Sequence, residues 1–541
     1  MTRNLDFICM YKVPYFWDRF NISHMKTNPI RLLPGFVLSV LLCQTWEMGY
    51  TRQFPARPPN IIFIMADDHA YQAISAYGST LIKTPNIDRI AREGALMSNG
   101  FVTNSVCSPS RAVILTGKYS HINGLRDNGT YFNGAQQTLP KILKENGYRT
   151  AIVGKWHLWS EPTGFDYWNI LPAQGHYYNP PFIKMGKDTC YKGYVTDIIT
   201  DLALQWIDSN RGQPFFLMLH HKAPHRNCMP PLKYLHQFDE VKFPLPATFN
   251  DSYKNRPALQ RQQISVAHDL DLRYDTKIPC DTCAVTTINS WAPAEWQREI
   301  ERLTPAERRQ WDSAYALEYE QFKNIHDPAA LVKFQFQRYL EDYLRCVLSV
   351  DDNVGRVLQY LDEHGLSENT IVIYTSDQGF YLGEHGLYDK RFMYNESFRS
   401  PMVVRYPAKI RPKQQVSQFT LNLDIAPTLL DYAGIAIPAD MQGASMRPLL
   451  EKGKTPNWRN EIYYHYYELS FGLTRHYGIY TGRYKLIHFY DPIDAWELYD
   501  LKKDKLEINN LYNDPRYLKA VKALKERLRS LQKFYKDEVN W

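Results

Sequence analysis

Four short apolar runs, each ending abruptly in polar and ionisable residues, constrain this chain more than any other feature. Residues 60–66 (NIIFIMA) form a continuous Ile-rich run that stops at Asp67, Asp68 and His69. Residues 150–153 (TAIV) lead to Lys155 and His157 in GKWH, and residues 214–219 (PFFLML) to His220, His221, Lys222 and His225 in HHKAPH. Residues 370–374 (TIVIY) lead to Asp377 and Gln378 in TSDQG. Unbroken runs of this length are what strands buried on both faces require. Helical patterns lie between them, at residues 139–146 and 339–364 among others. This alternation predicts an α/β fold, a mostly parallel sheet sandwiched by helices. In such sheets ligands bind beyond the carboxyl ends of the strands, where these four polar sets sit.

A chain of 541 residues has room for two to four domains. Its 44% hydrophobic and 22% charged residues exclude a disordered tail protein, a coiled coil and a polytopic membrane protein. The net charge of +7 is spread without a basic block, which argues against nucleic acid and is compatible with an anionic ligand. The 39 Tyr and 12 Trp suit a sugar-facing surface, or simply a large packed core. Residues 229–335 are Pro-rich, then polar, and read as a surface insertion that is helical around 304–322. They interrupt a main domain at residues 56–455. A smaller α+β subdomain at 456–541 follows, with Tyr-rich strands at 462–467, 478–480 and 484–489. Its amphipathic helix places Leu518, Val521, Leu524, Leu528, Leu531 and Phe534 on one face.

Residues 1–55 read as an export leader. The apolar run at 32–43, behind Lys26 and Arg31, is shorter than the about 20 residues a membrane span needs and fits a signal-peptide core. Met25 is the more natural start, since it leaves a short basic segment ahead of that run. The expected location is the periplasm or outside the cell, without a stable membrane span. Cys43 is a weak lipoprotein signal, because no small residue precedes it. The eight cysteines show no disulfide-framework spacing, and Cys280–Cys283 reads as a local disulfide or two free thiols rather than a zinc site.

Asp67, Asp68, Asp377 and the side-chain carbonyl of Gln378 make an oxygen-rich set suited to one hard divalent cation, Ca²⁺ or Mg²⁺. Without a cation, carboxylates in contact repel and their pKa values rise. Cys107 lies in NSVCSPSRAVILTGK. Pro109 suits the first position of a helix, which puts Cys107 just ahead of a helix N-terminus that favours anionic oxygens. Arg111, four residues on, can face the same anion. A lone cysteine is ordinarily a small buried hydrophobe, but this setting is polar and cationic.

C-S-P-S-R followed by T-G-K closely resembles the C-x-P-x-R…T-G signature of type I sulfatases. The resemblance continues through PNIIFIMADDHAYQAISAYG, GKWHLW, KAPH and SDQGFYLGEHGLYDKR, so it runs with gaps from about Pro59 into the C-terminal subdomain. It implies an alkaline-phosphatase-like fold with a smaller C-terminal sheet. It also implies that a formylglycine-generating enzyme oxidises Cys107 to formylglycine, whose hydrate attacks the sulfate sulfur and later releases sulfate. One Ca²⁺ would be held by Asp67, Asp68, residue 107, Asp377 and Gln378; many relatives carry Asn or His at the last position. By motif position Arg111 steadies the diol, Lys155 and Lys390 bind sulfate oxygens, His157 handles the diol proton and His225 protonates the leaving oxygen.

The stretch DQGFYLGEHGLYDKRFMYNES most resembles exported bacterial N-acetylglucosamine-6-sulfatases acting on glycosaminoglycans. That implies a sulfated oligosaccharide of heparan or heparin type as substrate. Desulfation of 6-O-sulfated galactosamine or 2-O-sulfated uronate is the alternative. Asp389 and Arg391 flank Lys390 and read as a clamp on vicinal hydroxyls, or else as ion pairs with each other or with Glu384. His176 and His476 are expected to contribute more distantly. A phosphatase of the same superfold would use Ser or Thr and two metals. A sugar-binding protein without catalysis would have no use for Lys155, His225 and Lys390 together.

Overall fold

A computed structural model of the protein describes residues 57–279, 289–453 and 455–539. The leader, Cys43 and the Cys280–Cys283 pair lie outside them. The first apolar run becomes the strand Asn60–Asp67, whose residues alternate between two cores. Ile61, Phe63 and Met65 pack into one hydrophobic cluster, and Ile62, Ile64 and Ala66 into the other. Period-two alternation with both faces dry is why the run shows no polar interruption.

Five parallel strands form the centre of a ten-stranded sheet, in the order Thr370–Ser376, Asn60–Asp67, Phe215–Pro224, Arg149–Lys155 and Tyr167–Leu171. Antiparallel pairing begins outside them, with Met402–Arg405 on one side and Pro181–Lys184 on the other. Asn60–Asp67 is therefore flanked by the two strands that end in TSDQG and HHKAPH. Ala66 pairs with Ser376, and Asp67 with Pro224 across a register shift. All four polar strand ends meet at one edge.

The helix expected at 339–364 runs from Pro328 to Glu363, because Asp327 accepts the Ala330 N–H and Pro328 occupies the first position. Helix Pro305–Lys323 starts at a capping box of Thr304 and Glu307. Residues 229–335 contain no strand among their described positions, as expected, but they are not confined to the surface. Leu259, Ile264, Val266 and Trp311 are buried in the cluster that takes Ile62, Ile64 and Ala66. These apolar anchors are too widely spaced to show a period.

The C-terminal segment folds as a four-stranded antiparallel sheet, Ile462–Tyr466, Arg475–Tyr480, Tyr484–Asp491 and Ala495–Asp500. The last strand went unseen in the sequence because AWELYD carries two acids. Helix Leu518–Tyr535 covers the sheet with Val521, Leu524 and Leu528, whereas Leu518 and Phe534, in its first and last turns, are exposed. Among the described residues no helix is long and apolar enough to cross a membrane.

Gly154 has φ +104° one residue before Lys155, and a Cβ there would run into the carbonyl oxygen of His220 on the neighbouring strand. Gly154→Ala is expected to lose about 1–3 kcal/mol of stability or more, since left-handed strain and a backbone clash add. Thermal unfolding reads this directly; an unchanged midpoint would contradict the close approach of the two strands.

Candidate active site

The helix Cys107–Thr116 begins at Cys107 itself, with Pro109 third rather than first, and all of its residues are buried. One turn on, Arg111 reaches three strand ends. It donates to Asp377 Oδ2 from Nε at 3.1 Å and Nη2 at 2.9 Å, to Asp67 Oδ1 at 3.3 Å, and to the Lys155 carbonyl at 3.0 Å. Lys155 bonds to Asp67 and to Gln174. Lys390 donates to both oxygens of Asp68 at 2.6 and 2.7 Å, and His225 Nε2 lies 3.7 Å from Asp68. His157 contacts Ser108 Oγ through Nδ1 at 3.3 Å and the Gln174 amide through Nε2 at 3.2 Å.

Donor atoms of Asp67, Asp68 and Asp377 lie within 4.8 Å of one another, and so do those of Asp67, Cys107 and His225. Gln378 donates its amide N–H to Asp68, while its carbonyl oxygen is buried without a partner. Nine residues singled out from five separate stretches of sequence, together with Lys390, thus surround one point.

Burial sets the electrostatics. It pushes the Asp68 carboxyl up to about 7, against Lys390 and with Asp67 and Asp377 adding to it. It also raises Asp377, with Asp67 adding and Arg111 opposing. At Asp67 burial acts upward too, but Lys155, His225, Arg111 and Lys390 outweigh it and hold the carboxyl well below its usual range. The expected rise therefore falls on two of the three acids. Burial pushes the Cys107 thiol up to about 12 despite Lys390 and Lys155, so the unmodified side chain is no thiolate. Burial, with Lys155 adding, keeps His157 and His225 well below the ordinary imidazole value. Three crowded acids and an orphaned carbonyl oxygen are the chemistry of a hard-cation site, and they fit Ca²⁺.

The site opens into a cavity of about 450 Å³. Asp389 and Arg391 line it beside Lys390, in a backbone held at φ 72° and 109°. Such left-handed geometry in non-glycine residues costs about 1–3 kcal/mol each and persists where surrounding contacts enforce it. Arg391 pairs with Asp389 at 3.4 Å and with Glu468 at 2.7 Å, and its guanidinium stacks 5.0 Å from the Phe471 ring. Of the two ion-pair alternatives, the structure shows the pairing with each other, while Glu384 accepts from Gln72 and the Leu382 N–H.

His176 lines the cavity and bonds to Glu299 at 2.9 Å. His476 does not line it. It is fully buried against Tyr464, Tyr466 and Phe489, where burial holds its pKa down to about 3, so the expectation that it contacts a sugar is corrected. Gln174, Lys222, Glu299, Trp291 and Phe471 also line the cavity. Of these only Lys222 stood in a stretch that sequence reasoning marked, and nothing there pointed to a ligand for it.

The Sulfatase family model matches residues 59–435, and the model for the N-sulphoglucosamine sulphohydrolase C-terminal region matches residues 383–534. The chain is 47% identical over 528 residues to N-acetylglucosamine-6-O-sulfatase of Bacteroides thetaiotaomicron, covering 95% of this chain and 93% of that one. It is 27% identical over 438 residues to N-acetylglucosamine-6-sulfatase of Homo sapiens, covering 76% and 67%. Among solved structures, that of BT4656 in complex with its substrate D-glucosamine-2-N,6-O-disulfate matches with a TM-score of 0.85 and 46% identity, over 89% of this chain and 99% of that one.

If the acid cluster holds calcium, metal-stripped protein titrated with Ca²⁺ should gain about 2.7 kcal/mol of stability at a hundredfold excess over Kd. Differential scanning calorimetry would register it as a rise in the unfolding temperature, and Asp377→Ala should lose that rise. A wild-type midpoint indifferent to calcium would reject the cation site.

Proposed function

The chain belongs to the sulfatase family, and from that premise we propose that it removes the 6-O-sulfate of glucosamine-type sugars in heparan- or heparin-type oligosaccharides. The observation that carries this reading is the 47% identity to an N-acetylglucosamine-6-O-sulfatase over nearly the whole of both chains. The substrate held by the relative of known structure, a 6-O-sulfated glucosamine, supports the same position. The apolar run at residues 32–43 supports export to the periplasm or beyond.

Residue 107, matured to formylglycine by a separate enzyme, supplies the hydrated aldehyde that serves as the nucleophile. Asp67, Asp68, Asp377 and the Gln378 carbonyl would hold a Ca²⁺, which would supply positive charge to bind and polarise a sulfate ester. The remaining work falls to the chain's own side chains. Arg111 holds Asp377 and Asp67 at fixed spacing next to residue 107. Lys155 and Lys390 present ammonium groups at the acid cluster, where they can bind sulfate oxygens. His157, oriented through Gln174 and Ser108, takes and returns the proton of the group at 107. His225 is held neutral in the dry site by burial; an arriving sulfate monoanion raises its proton affinity, so that it can protonate the departing sugar oxygen. Asp389 accepts from, and Arg391 donates to, hydroxyls of the ring, and Glu468 keeps the guanidinium aimed.

Cys107→Ala is expected to abolish turnover without unfolding the protein. Mass spectrometry of the wild-type peptide should find the aldehyde in place of the thiol. Substantial activity in the Ala variant would exclude the formylglycine nucleophile.

Asp389→Ala and Arg391→Ala should each lower kcat/KM on 6-O-sulfated N-acetylglucosamine by about 10–100-fold, because each strands a buried polar partner. Hydrolysis of an aryl sulfate, which offers no ring hydroxyls, should fall much less. Equal losses on the two substrates would assign the pair to holding Lys390 instead.

A further inference from the structure

Two buried lysines, Lys222 and Lys390, line this cavity, and Lys155 stands behind it; Lys155 is hydrogen-bonded to Asp67 and Lys390 to Asp68. Lys222 differs. It lines the cavity at 2% exposure, on the strand Phe215–Pro224, and among the described residues its ammonium group makes no hydrogen bond. Its nearest organised contact is the face of Tyr177, with Nζ 4.7 Å from the ring centroid. An ammonium carries three donors and no acceptor, so a lysine that lines the cavity with none of them used within the protein is poised for a partner that the protein does not provide.

Its charge is opposed by burial and supported from a distance by one acid. Burial pushes the pKa of Lys222 down, and the Glu299 carboxylate is the strongest influence the other way. Glu299 is 2% exposed, accepts from His176 Nδ1 at 2.9 Å, and keeps Oε2 without a partner. The adjacent Glu295 is taken up by Arg298 at 2.5 Å. Glu299 therefore helps to keep the ammonium charged while its donors stay open. Both acids lie on the helix Ala292–Glu301, within the 229–335 segment, and not in the cation cluster. The cations that bear most on Cys107 are Lys390 and Lys155, whereas Lys222 answers first to Glu299.

We propose that Lys222, with His176 sharing Glu299, forms a second anion contact that takes a sulfate or carboxylate oxygen of the substrate other than those of the ester being cleaved. The proposal rests on the 6-O-sulfatase reading and deepens it, for it assigns this enzyme to substrates with two acid groups. The second acid is either an N-sulfate on the same ring or the carboxylate of an adjoining uronate. His176 commits Nδ1 to Glu299, which leaves Nε2 as the ring atom free to meet the same ligand. A neutral N-acetyl group offers a single uncharged carbonyl oxygen and satisfies the ammonium less well.

The test is Lys222→Met, which keeps the shape and removes the charge, assayed as the mature holoenzyme. Four substrates are compared: glucosamine 2-N,6-O-disulfate, 6-O-sulfated N-acetylglucosamine, the latter linked to a uronate, and an aryl sulfate. A loss in kcat/KM of about 10–100-fold is expected on an acid-bearing sugar, with changes within about threefold on the N-acetyl monosaccharide and the aryl sulfate. Whichever acid-bearing sugar loses more identifies the source of the oxygen. Equal losses on all four would place Lys222 at the ester sulfate or in the fold, and no loss on any would leave it without a ligand; either result overturns the proposal. If the Met variant melts early, Lys222→Gln and the same ratios decide. Wild-type turnover of the 6-O-sulfated sugars tests the functional reading separately. Should another sulfated sugar be the one hydrolysed, that reading falls, and Lys222 is judged on that sugar with and without a second acid.

Discussion

One guanidinium holds the site together. Arg111 rises from the first turns of the Cys107 helix and is hydrogen-bonded to the ends of three different strands, at Asp377, Asp67 and the Lys155 carbonyl. It is 2% exposed, and both of its carboxylate partners are fully buried. Buried ion pairs of this kind add little net stability, because desolvation consumes the attraction, yet removing one partner leaves an uncompensated charge and is costly. The arrangement buys geometry: the backbone that carries residue 107 cannot shift without disturbing both acids.

Charge accounting follows from that bond. Arg111, Lys155 and Lys390 stand against Asp67, Asp68 and Asp377, a formal balance, but the balance is unevenly shared. Asp67 touches both Arg111 and Lys155 and stays strongly acidic, whereas Asp68, served by Lys390 alone, is pushed up to about 7 by burial. A divalent cation would lower all three carboxylates together.

Much of this was legible beforehand because two-faced burial writes an unmistakable pattern. A strand such as Asn60–Asp67 tolerates no polar residue until it leaves the sheet, so the first ionisable residue dates the strand's end and hence the edge at which ligands bind. The acids, Lys155, His225 and Arg111 could be named on that logic together with a family signature. Glu468, Glu299 and Trp291 could not, because they reach the cavity through tertiary packing of segments with no period of their own. His476 misled for the opposite reason. A histidine among tyrosines looks like a sugar platform in sequence, but its strand turns it into the aromatic interior.

Tyr464 ties the C-terminal sheet to the site. Tyr464 donates its hydroxyl to the Arg391 carbonyl at 2.8 Å and accepts the N–H of Ser105, two residues before Cys107, at 3.2 Å. Glu468, just beyond the same strand, fixes the Arg391 guanidinium. Residue 107 and the loop of Lys390 and Arg391 are thus registered against one another by a strand distant from both in sequence. A displacement of that strand would move the start of the Cys107 helix and the Arg391 backbone in concert, so that neither can be repositioned on its own.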